Sequence, residues 1–243
     1  MTNFHTRAAQ TAAKYRMLVD FHGTYKPVGL HRTYPNVINY EGVNGLEQMK
    51  WSSSALDQVT YDVTVPFIRM MAGPMDYTQG AMRNASRSSY RAVHDEPMSQ
   101  GTRCRQLAEY VVFDSPLNML CDSPSNYMAE QECLNFIASV PTVWDETRGL
   151  DGKVGEYICI ARRRGDVWYV GGMTDWSARI IKLPLDFLAD GDYGLACSEG
   201  TFGGVPTTYY DLFRVENGFI AEHWDVMETL ADKDTWQNQN GKF

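Results

Sequence analysis

The chain has 243 residues, a formal net charge of −8 at pH 7 and 21% charged residues. This length is enough for one large domain or two small ones with a sizeable core. The 44% share of hydrophobic residues is typical of a globular protein rather than a disordered one. The acidic balance argues against nucleic acid as a partner, because phosphate backbones bind to basic surfaces.

The cysteines and the apolar runs exclude several further classes of protein. No two cysteines are spaced as a CxxC pair, so the sequence predicts free thiols rather than a zinc site or a disulfide framework. No apolar run is long enough for a signal peptide or a membrane span. As written, the chain is therefore expected to be cytoplasmic, with no membrane partner. The five cysteines are Cys104, Cys121, Cys133, Cys159 and Cys197.

The first 140 residues alternate helical patterns with short apolar segments. Residues 2–17 carry apolar side chains at helical spacing, and the apolar run 17–21 predicts a short buried strand of the parallel type. A long polar loop is predicted at 79–100. The other predictions are strands at 37–40, 68–72 and 117–121, and helices at 46–51, 101–113 and 130–140.

This alternation is typical of an α/β fold built from β/α units, in which the loops after the strands carry the chemistry. About four strands are predicted where a complete barrel has eight, and the sequence begins in a helix with no strand before it. We therefore expect residues 1–140 to form the C-terminal half of a β/α (TIM-type) barrel.

After Pro141 the pattern becomes rich in strands. Strands predicted at 153–164, 166–173 and 178–185 indicate an antiparallel, sandwich-like β domain over residues 141–189. Three more strands are predicted at 193–200, 205–215 and 219–226, and Asn217-Gly218 is typical of a hairpin turn between the last two.

The candidate functional residues lie where the first strands end. Glu41 and Glu47 stand six residues apart among glycines and aromatic residues, and His22 ends the first apolar run. Grouped carboxylates of this kind are used in sugar chemistry, although a solvated turn and the start of a surface helix are favoured for two glutamates taken alone. His22 could bind a sugar hydroxyl or be a satisfied core histidine. Asp76 and Asp122 also follow predicted strands, where turn-forming roles are favoured.

Two residues between these strands are further candidates for binding substrate. Arg32 and Tyr34 could position sugar hydroxyls. An arginine close to Pro35 could equally hold the loop in place, so both readings stay open.

Residues 19–36 and 41–47 closely resemble glycoside hydrolase family 97. Further matching motifs follow in the same order at 72–78, 98–104, 122–125, 142–146 and 169–176, so that the resemblance covers roughly residues 1–187. It implies half of the catalytic barrel followed by the family's C-terminal β domain. It also implies a glycosidase acting on an oligosaccharide or α-glycoside substrate, with calcium near the sugar.

The resemblance implies a role for several residues. Glu47 matches the general acid, and Glu41 matches a ligand of calcium, a cation that prefers carboxylate oxygens. Inverting members of the family carry a glutamate base directly after the histidine that matches His22, whereas this chain has Gly23. The departure favours the retaining branch, with an α-galactosidase or α-glucosidase type of activity.

A retaining enzyme needs a nucleophilic carboxylate about 5 Å from the acid/base. In that branch of the family the nucleophile is an aspartate on the preceding barrel strand, which this sequence does not include. We therefore expect the chain to be truncated, and weakly active or inactive alone. A truncated member of this family would be periplasmic or secreted. Half a barrel would also leave open sheet edges through which the chain could associate with itself.

The last residues resemble a different family. Segments 199–206, 210–218, 220–226 and 240–243 are similar to the C-terminal end of SnoaL-like proteins, which are cone-shaped α+β folds. The resemblance implies that residues 190–243 extend the β domain with SnoaL-like strands. His223 and Asp225 are acid/base candidates by analogy, and a structural role is favoured for both. The alternative function is therefore a small-molecule binding or cyclase-type module.

Overall fold

The computed structural model describes residues 2–53, 55–188, 193–202, 205–217 and 219–229. The chain has a mixed α/β fold. It begins with helix α1 (Thr2–Lys14), strand β1 (Val19–Phe21), helix α2 (Leu30–Thr33) and strand β2 (Val37–Tyr40). The two strands pair in parallel, with Asp20 opposite Asn39. The predicted strand at 37–40 is confirmed, and the one at 17–21 is confirmed in its last three residues.

Helix α1 covers the outer face of this strand pair. Its Ala9 is fully buried against Phe21, Val37 and Tyr40, because an alanine lets the helix approach the strands closely. The opposite face of the pair carries polar residues near the C-terminal ends of the strands. The parallel pairing places both of those ends at one edge.

The middle of the chain is largely helical. A 3₁₀ helix (Leu46–Lys50) precedes helices α3 (Gln58–Asp62) and α4 (Val65–Ile68), and a second 3₁₀ helix covers Met70–Ala72. The predicted strand at 68–72 is therefore wrong. A short apolar run does not distinguish strand from helix by itself, and Ile68 and Met71 are mainly exposed. The predicted strand at 117–121 is also wrong, since these residues form no regular structure.

The next elements lead to a long amphipathic helix. Two-residue strands β3 (Asn84–Ala85) and β4 (Ser99–Gln100) interrupt the predicted loop 79–100, and α5 (Arg103–Val112) confirms the predicted helix at 101–113. The Thr102 side chain caps α5 by accepting a hydrogen bond from the backbone N–H of Arg105. Two short helices, α6 (Pro124–Ala129) and α7 (Gln131–Ser139), follow.

A buried ionic cluster lies between α3 and α5 and consists of Asp62, Arg105 and Glu109. Both carboxylate side chains are fully buried, and Arg105 Nη1 donates hydrogen bonds to each of them. Gln58 and Gln106 donate further hydrogen bonds to the two acids. The cluster joins the two helices in the interior of the protein.

A three-stranded antiparallel sheet packs on α5. Its strands are β5 (Glu146–Lys153), β6 (Tyr157–Arg164) and β7 (Val167–Thr174), in the order β5-β6-β7. Gly171 lies so close to α5 that a Cβ atom there would come within 2.9 Å of the side chains of Val111 and Val112. The predicted antiparallel sheet is confirmed, but the strand predicted at 178–185 is wrong, because these residues are not extended in a ladder.

The last described elements form a second antiparallel sheet in the order β10-β9-β8. Its strands are β8 (Tyr193–Phe202), β9 (Val205–Glu216) and β10 (Phe219–Thr229). The predicted hairpin is confirmed: Phe219 pairs with Glu216, and Asn217 takes a left-handed conformation with φ of 53°. The sequence is polar at 231–243 and predicts a tail there, which lies outside the described residues.

The division into residues 1–140, 141–189 and 190–243 stays a prediction, as does the half barrel. No helix in the described part of the chain combines the length and the apolar character needed to cross a membrane.

Candidate functional site

The ends of β1 and β2 bring His22 and Glu41 together. His22 directly follows β1, and Glu41 directly follows β2. The backbone N–H of Glu41 donates to the carbonyl of Phe21 at 2.8 Å and so continues the ladder by one step. The two side chains therefore lie next to each other at one edge of the parallel pair.

Glu47 reaches the same place from the 3₁₀ helix. The first residue of that helix, Leu46, donates its backbone N–H to the carbonyl of Tyr77 at 2.8 Å, and the N–H of Glu47 donates to Thr78 Oγ1 at 3.3 Å. Thr78 has φ of 62°, an uncommon conformation for a β-branched residue that often occurs at functional sites. These contacts hold the backbone of Glu47 beside the ends of the two strands.

His22, Glu41 and Glu47 together form what we call the open cluster. His22 Nε2 lies 3.4 Å from Glu47 Oε1 and 3.6 Å from Glu41 Oε1, and the three ligand atoms all lie within 4.8 Å of one another. The side chains of His22, Glu47 and Glu41 are 45%, 31% and 12% exposed. The cluster is therefore ordered by its surroundings and still accessible to a ligand.

The second oxygen of Glu41 is held by the backbone. Glu41 Oε2 accepts a hydrogen bond of 2.5 Å from the N–H of Gly23. Gly23 has φ of 63°, which favours glycine, and a Cβ atom at this position would meet no other heavy atom within 4 Å. The space that a longer side chain would need is thus present, while the backbone conformation opposes it.

Two buried aspartates lie behind His22. Asp76 Oδ2 is 2.8 Å from His22 Nδ1, and this hydrogen bond, reinforced by the charges of Glu41 and Asp76, raises the pKa of His22. Burial, together with the nearby charge of Asp76, raises the pKa of Asp20 to about 7. The sequence indicated only a turn role for Asp76. The alternation of side chains along β1, which places Asp20 and His22 on one face, was the available signal for Asp20.

The open cluster fits part of a calcium site. Calcium takes six to eight oxygen ligands, and carboxylates are its usual protein ligands. Glu41 and Glu47 supply such oxygens at one point, so the chemistry of the donor set agrees with the predicted cation. The imidazole nitrogen of His22 is a less usual neighbour for calcium and is better suited to a transition metal or to a hydroxyl.

A cavity of about 190 Å³ opens beside Glu47. Glu47 forms part of its wall, together with polar and apolar residues of the surrounding loops that include Lys50, Met98, Met119, Leu120 and Asp122. Glu47 therefore lies between the other two members of the open cluster and a space that can take part of a ligand.

The other predicted site residues lie elsewhere. Arg32 is an exposed residue of α2. The Tyr34 hydroxyl accepts a hydrogen bond of 2.7 Å from Gln10 of α1, and its ring packs with the residues under that helix. Among the described contacts, neither residue touches the open cluster. Their predicted role in binding substrate stays a prediction.

In the C-terminal sheet, His223 lies on β10. Its Nε2 is 2.8 Å from Asp211 Oδ1, and its ring stacks on Phe213 with centroids 4.9 Å apart. The side chain of Asp225 lies outside the described residues. The acid/base roles of His223 and Asp225 stay predictions.

Two family models match this chain. The model described as glycoside hydrolase 97 matches residues 1–43, and the model described as glycosyl-hydrolase 97 C-terminal, oligomerisation, matches residues 143–201. The first match contains His22 and Glu41. The second runs past residue 190, where the sequence predicts a change of family. Two separate parts of the chain are therefore similar to glycoside hydrolase 97 domains.

Known proteins extend the match over most of the chain. A retaining alpha-galactosidase of Bacteroides thetaiotaomicron is 68% identical over 193 residues, which are 79% of this chain and 29% of that protein. A probable retaining alpha-galactosidase of Streptomyces bingchenggensis is 32% identical over 232 residues, which are 91% of this chain and 34% of that protein. The chain thus spans about a third of the length of these curated relatives.

Two solved structures are also similar to this chain over most of its length. A glycoside hydrolase family 97 enzyme from a Pseudoalteromonas species, in complex with panose, superposes with a TM-score of 0.72 at 32% identity and covers 96% of this chain and 34% of its own. A beta-arabinopyranosidase superposes with a TM-score of 0.72 at 28% identity, over 90% of this chain and 34% of its own. The mixed α/β fold of this chain therefore resembles about a third of a glycoside hydrolase family 97 enzyme.

Proposed function

We propose that this chain supplies the acid/base and the cation ligands of a retaining α-glycosidase site that acts on α-galactosides. Glu47 is the acid/base, Glu41 binds calcium and His22 contacts the sugar. The chain also corresponds to the C-terminal half of the catalytic barrel and the following β domain. The proposal draws the sugar class from the two α-galactosidase relatives.

One observation carries the proposal: Glu41, Glu47 and His22 converge at the ends of two parallel strands, with ligand atoms within 4.8 Å of one another. The positions come from separate elements, so their meeting is a property of the fold. Gly23 supports the retaining branch, because an inverting enzyme would need a carboxylate there to activate water.

The position of the cavity supports one direction for the substrate. Glu41, held by Gly23 N–H, and His22 stand on one side of Glu47, and the cavity of about 190 Å³ opens at Glu47 itself. A general acid protonates the oxygen of the leaving group, so that group must lie beside the Glu47 carboxyl. The reacting sugar then lies towards His22 and the cation, and the leaving group lies towards the cavity.

Hydrolysis of aryl α-galactoside and aryl α-glucoside tests the proposal. If the chain shows turnover, we expect Glu47→Gln to reduce it by about 10²–10⁴-fold, the usual contribution of an acid/base. Asp225→Asn should leave it unchanged. Loss in Asp225→Asn with retention in Glu47→Gln would contradict the proposal and favour the SnoaL-like alternative.

If the isolated chain does not hydrolyse either substrate, binding measurements test the proposal instead. Calorimetry should then detect calcium uptake that Glu41→Gln abolishes and Asp225→Asn preserves. A chain that shows no turnover, binds no calcium and binds no galactose would rule the proposal out.

The SnoaL-like alternative rests on a different observation. His223 and Asp211 form an accessible imidazole–carboxylate pair on β9 and β10, a pair that could transfer a proton. A small-molecule binding or cyclase-type role of residues 190–243 would require His223→Gln to abolish ligand binding while Glu47→Gln does not.

We also propose that the chain associates with itself through the β domain. The matched family description names oligomerisation for residues 143–201, and β7 is an edge strand with two exposed valines, Val167 and Val170. An edge strand offers unpaired backbone groups to another copy. Light scattering should show a dimer or larger assembly that Val170→Lys weakens. The matched control is Val154→Lys, because Val154 is equally exposed but lies in a turn.

A further inference from the structure

Asp76 is a buried carboxylate whose position is set by the same strands that set the open cluster. Its backbone N–H donates to the carbonyl of Tyr40, the last residue of β2, at 2.8 Å. Its side chain is 1% exposed, and Oδ2 lies 2.8 Å from His22 Nδ1. Asp76 is therefore in direct contact with His22 from the side opposite to Glu41 and Glu47.

The hydrogen-bond roles of these groups decide where the proton of His22 lies. A carboxylate only accepts hydrogen bonds, so the Nδ1 atom that faces Asp76 must donate. A neutral imidazole carries a single proton, and with that proton on Nδ1 its Nε2 atom has a free lone pair. The opposite tautomer would place two acceptors face to face and leave the buried Asp76 oxygen without its donor, which is unfavourable.

Nε2 points into a space that already contains two other acceptors. Glu47 Oε1 is 3.4 Å away and Glu41 Oε1 is 3.6 Å away. Three acceptors around one point favour a ligand that brings protons or positive charge. A sugar hydroxyl brings a proton, and the cation can satisfy the carboxylates.

We infer that Asp76 is a positioning residue that fixes the Nδ1–H tautomer of His22, so that Nε2 accepts a hydrogen bond from a hydroxyl of the bound sugar. The identity of that ligand rests on the proposed function. The tautomer itself does not, because it follows from contacts within this chain.

Nitrogen NMR of the full chain labelled with ¹⁵N-histidine measures the tautomer directly. The chain has five histidines, and His22→Gln identifies the signal of His22. At a pH at which the ring is neutral, we expect Nδ1 protonated and Nε2 unprotonated in the wild type. In Asp76→Asn the amide group can donate to Nδ1, and we expect the two nitrogens to exchange their signatures.

The matched control is Asp20→Asn, which removes a neighbouring carboxyl of the same buried group. It should leave the tautomer of His22 as in the wild type. An Nε2–H tautomer in the wild type would overturn the inference, and so would an unchanged tautomer in a folded Asp76→Asn protein. If Asp76→Asn does not fold, the wild-type spectrum still tests the tautomer of His22. The Asp76→Glu variant tests it as well, because it should keep the proton on Nδ1.

A galactose titration tests the role of Nε2. Galactose should shift the Nε2 signal of the wild type, and Asp76→Asn should lower galactose affinity by about tenfold, the loss of one hydrogen bond. An unchanged affinity would overturn the role of Nε2. Absence of galactose binding in the wild type would count against the proposed function and the sugar ligand, while the tautomer would still be judged by its own spectrum.

Discussion

The chain contains two clusters of similar composition, each with two carboxylates and one basic side chain, in very different surroundings. In the buried ionic cluster, Asp62 and Glu109 are fully buried and Arg105 donates to both. In the open cluster, the His22 side chain is 45% exposed and its nitrogens lie between three carboxylates. The same kinds of charge are thus buried in one of these two clusters and partly exposed in the other.

The difference teaches that solvent access, rather than composition, separates a structural cluster from a candidate site. Glutamines and a tyrosine donate further hydrogen bonds to the two acids of the buried cluster. Its side chains are at most 6% exposed, so an external ligand has no access to it. The open cluster directs acceptors towards a point that a ligand can reach. The first should therefore respond to mutation through stability, and the second through binding.

Arg105→Met should have the largest effect on stability. It leaves two buried acids without their cation, and removing one partner of a buried ion pair costs about 3–5 kcal/mol of unfolding free energy. Urea denaturation measures this loss. The control Arg164→Met breaks a surface pair with Asp145 and should cost at most about 1 kcal/mol. Equal losses in the two variants would contradict the comparison.

Calcium should stabilise the chain only through the open cluster. At a calcium concentration about 100 times the dissociation constant, ligand binding adds about 2.7 kcal/mol to the free energy of unfolding. Thermal denaturation with and without calcium measures this gain. The gain should vanish in Glu41→Gln and persist in Glu109→Gln, and a gain that depends on Glu109 would place the cation at the wrong cluster.

Glu109→Gln should change how stability depends on pH. Burial and the charge of Asp62 raise the pKa of Glu109 in the folded state, so the folded protein holds a proton that the unfolded chain releases. Stability of the wild type is then highest below the unfolded pKa and falls as pH rises, by up to about 1.4 kcal/mol per pH unit for this group. Glutamine carries no such proton.

The variant should therefore gain stability relative to the wild type as pH increases from about 4.5 towards neutrality, the range that begins at the unfolded pKa of a glutamate. Denaturant midpoints at a series of pH values check this trend. A constant difference between the two proteins over that range would show that Glu109 is ionised in the folded state.

Gly23→Ala should have the smallest effect. A left-handed conformation costs a residue with a Cβ atom about 1 kcal/mol, and no neighbouring atom obstructs the added methyl group. The control Gly149→Ala also adds a methyl group in open space, but without the positive φ, and should cost nothing measurable. Equal costs would show that the conformation of Gly23 is not strained for other residues.

The sequence by itself determined much of the local structure. Hydrophobic periodicity predicted the helix at 101–113, and Asn217-Gly218 predicted the hairpin, because both signals depend on residues close together in the chain. The strand predicted at 68–72 was wrong because this local signal is ambiguous. A short apolar run fits a helix and a strand equally well, and packing decides between them.

In the candidate site, too, the sequence identified some residues and the tertiary structure identified others. The sequence selected His22, Glu41 and Glu47, since they follow predicted strands and match a family motif. Only the tertiary structure added Asp76, which is 54 positions away from His22 in the chain. Its Oδ2 lies 2.8 Å from His22 Nδ1, because its backbone N–H binds the carbonyl at the end of β2. Only the fold decided that Asp62 and Glu109 are fully buried while His22 and Glu47 are accessible. Burial is set by the packing of distant segments, and no local pattern of residues contains that information.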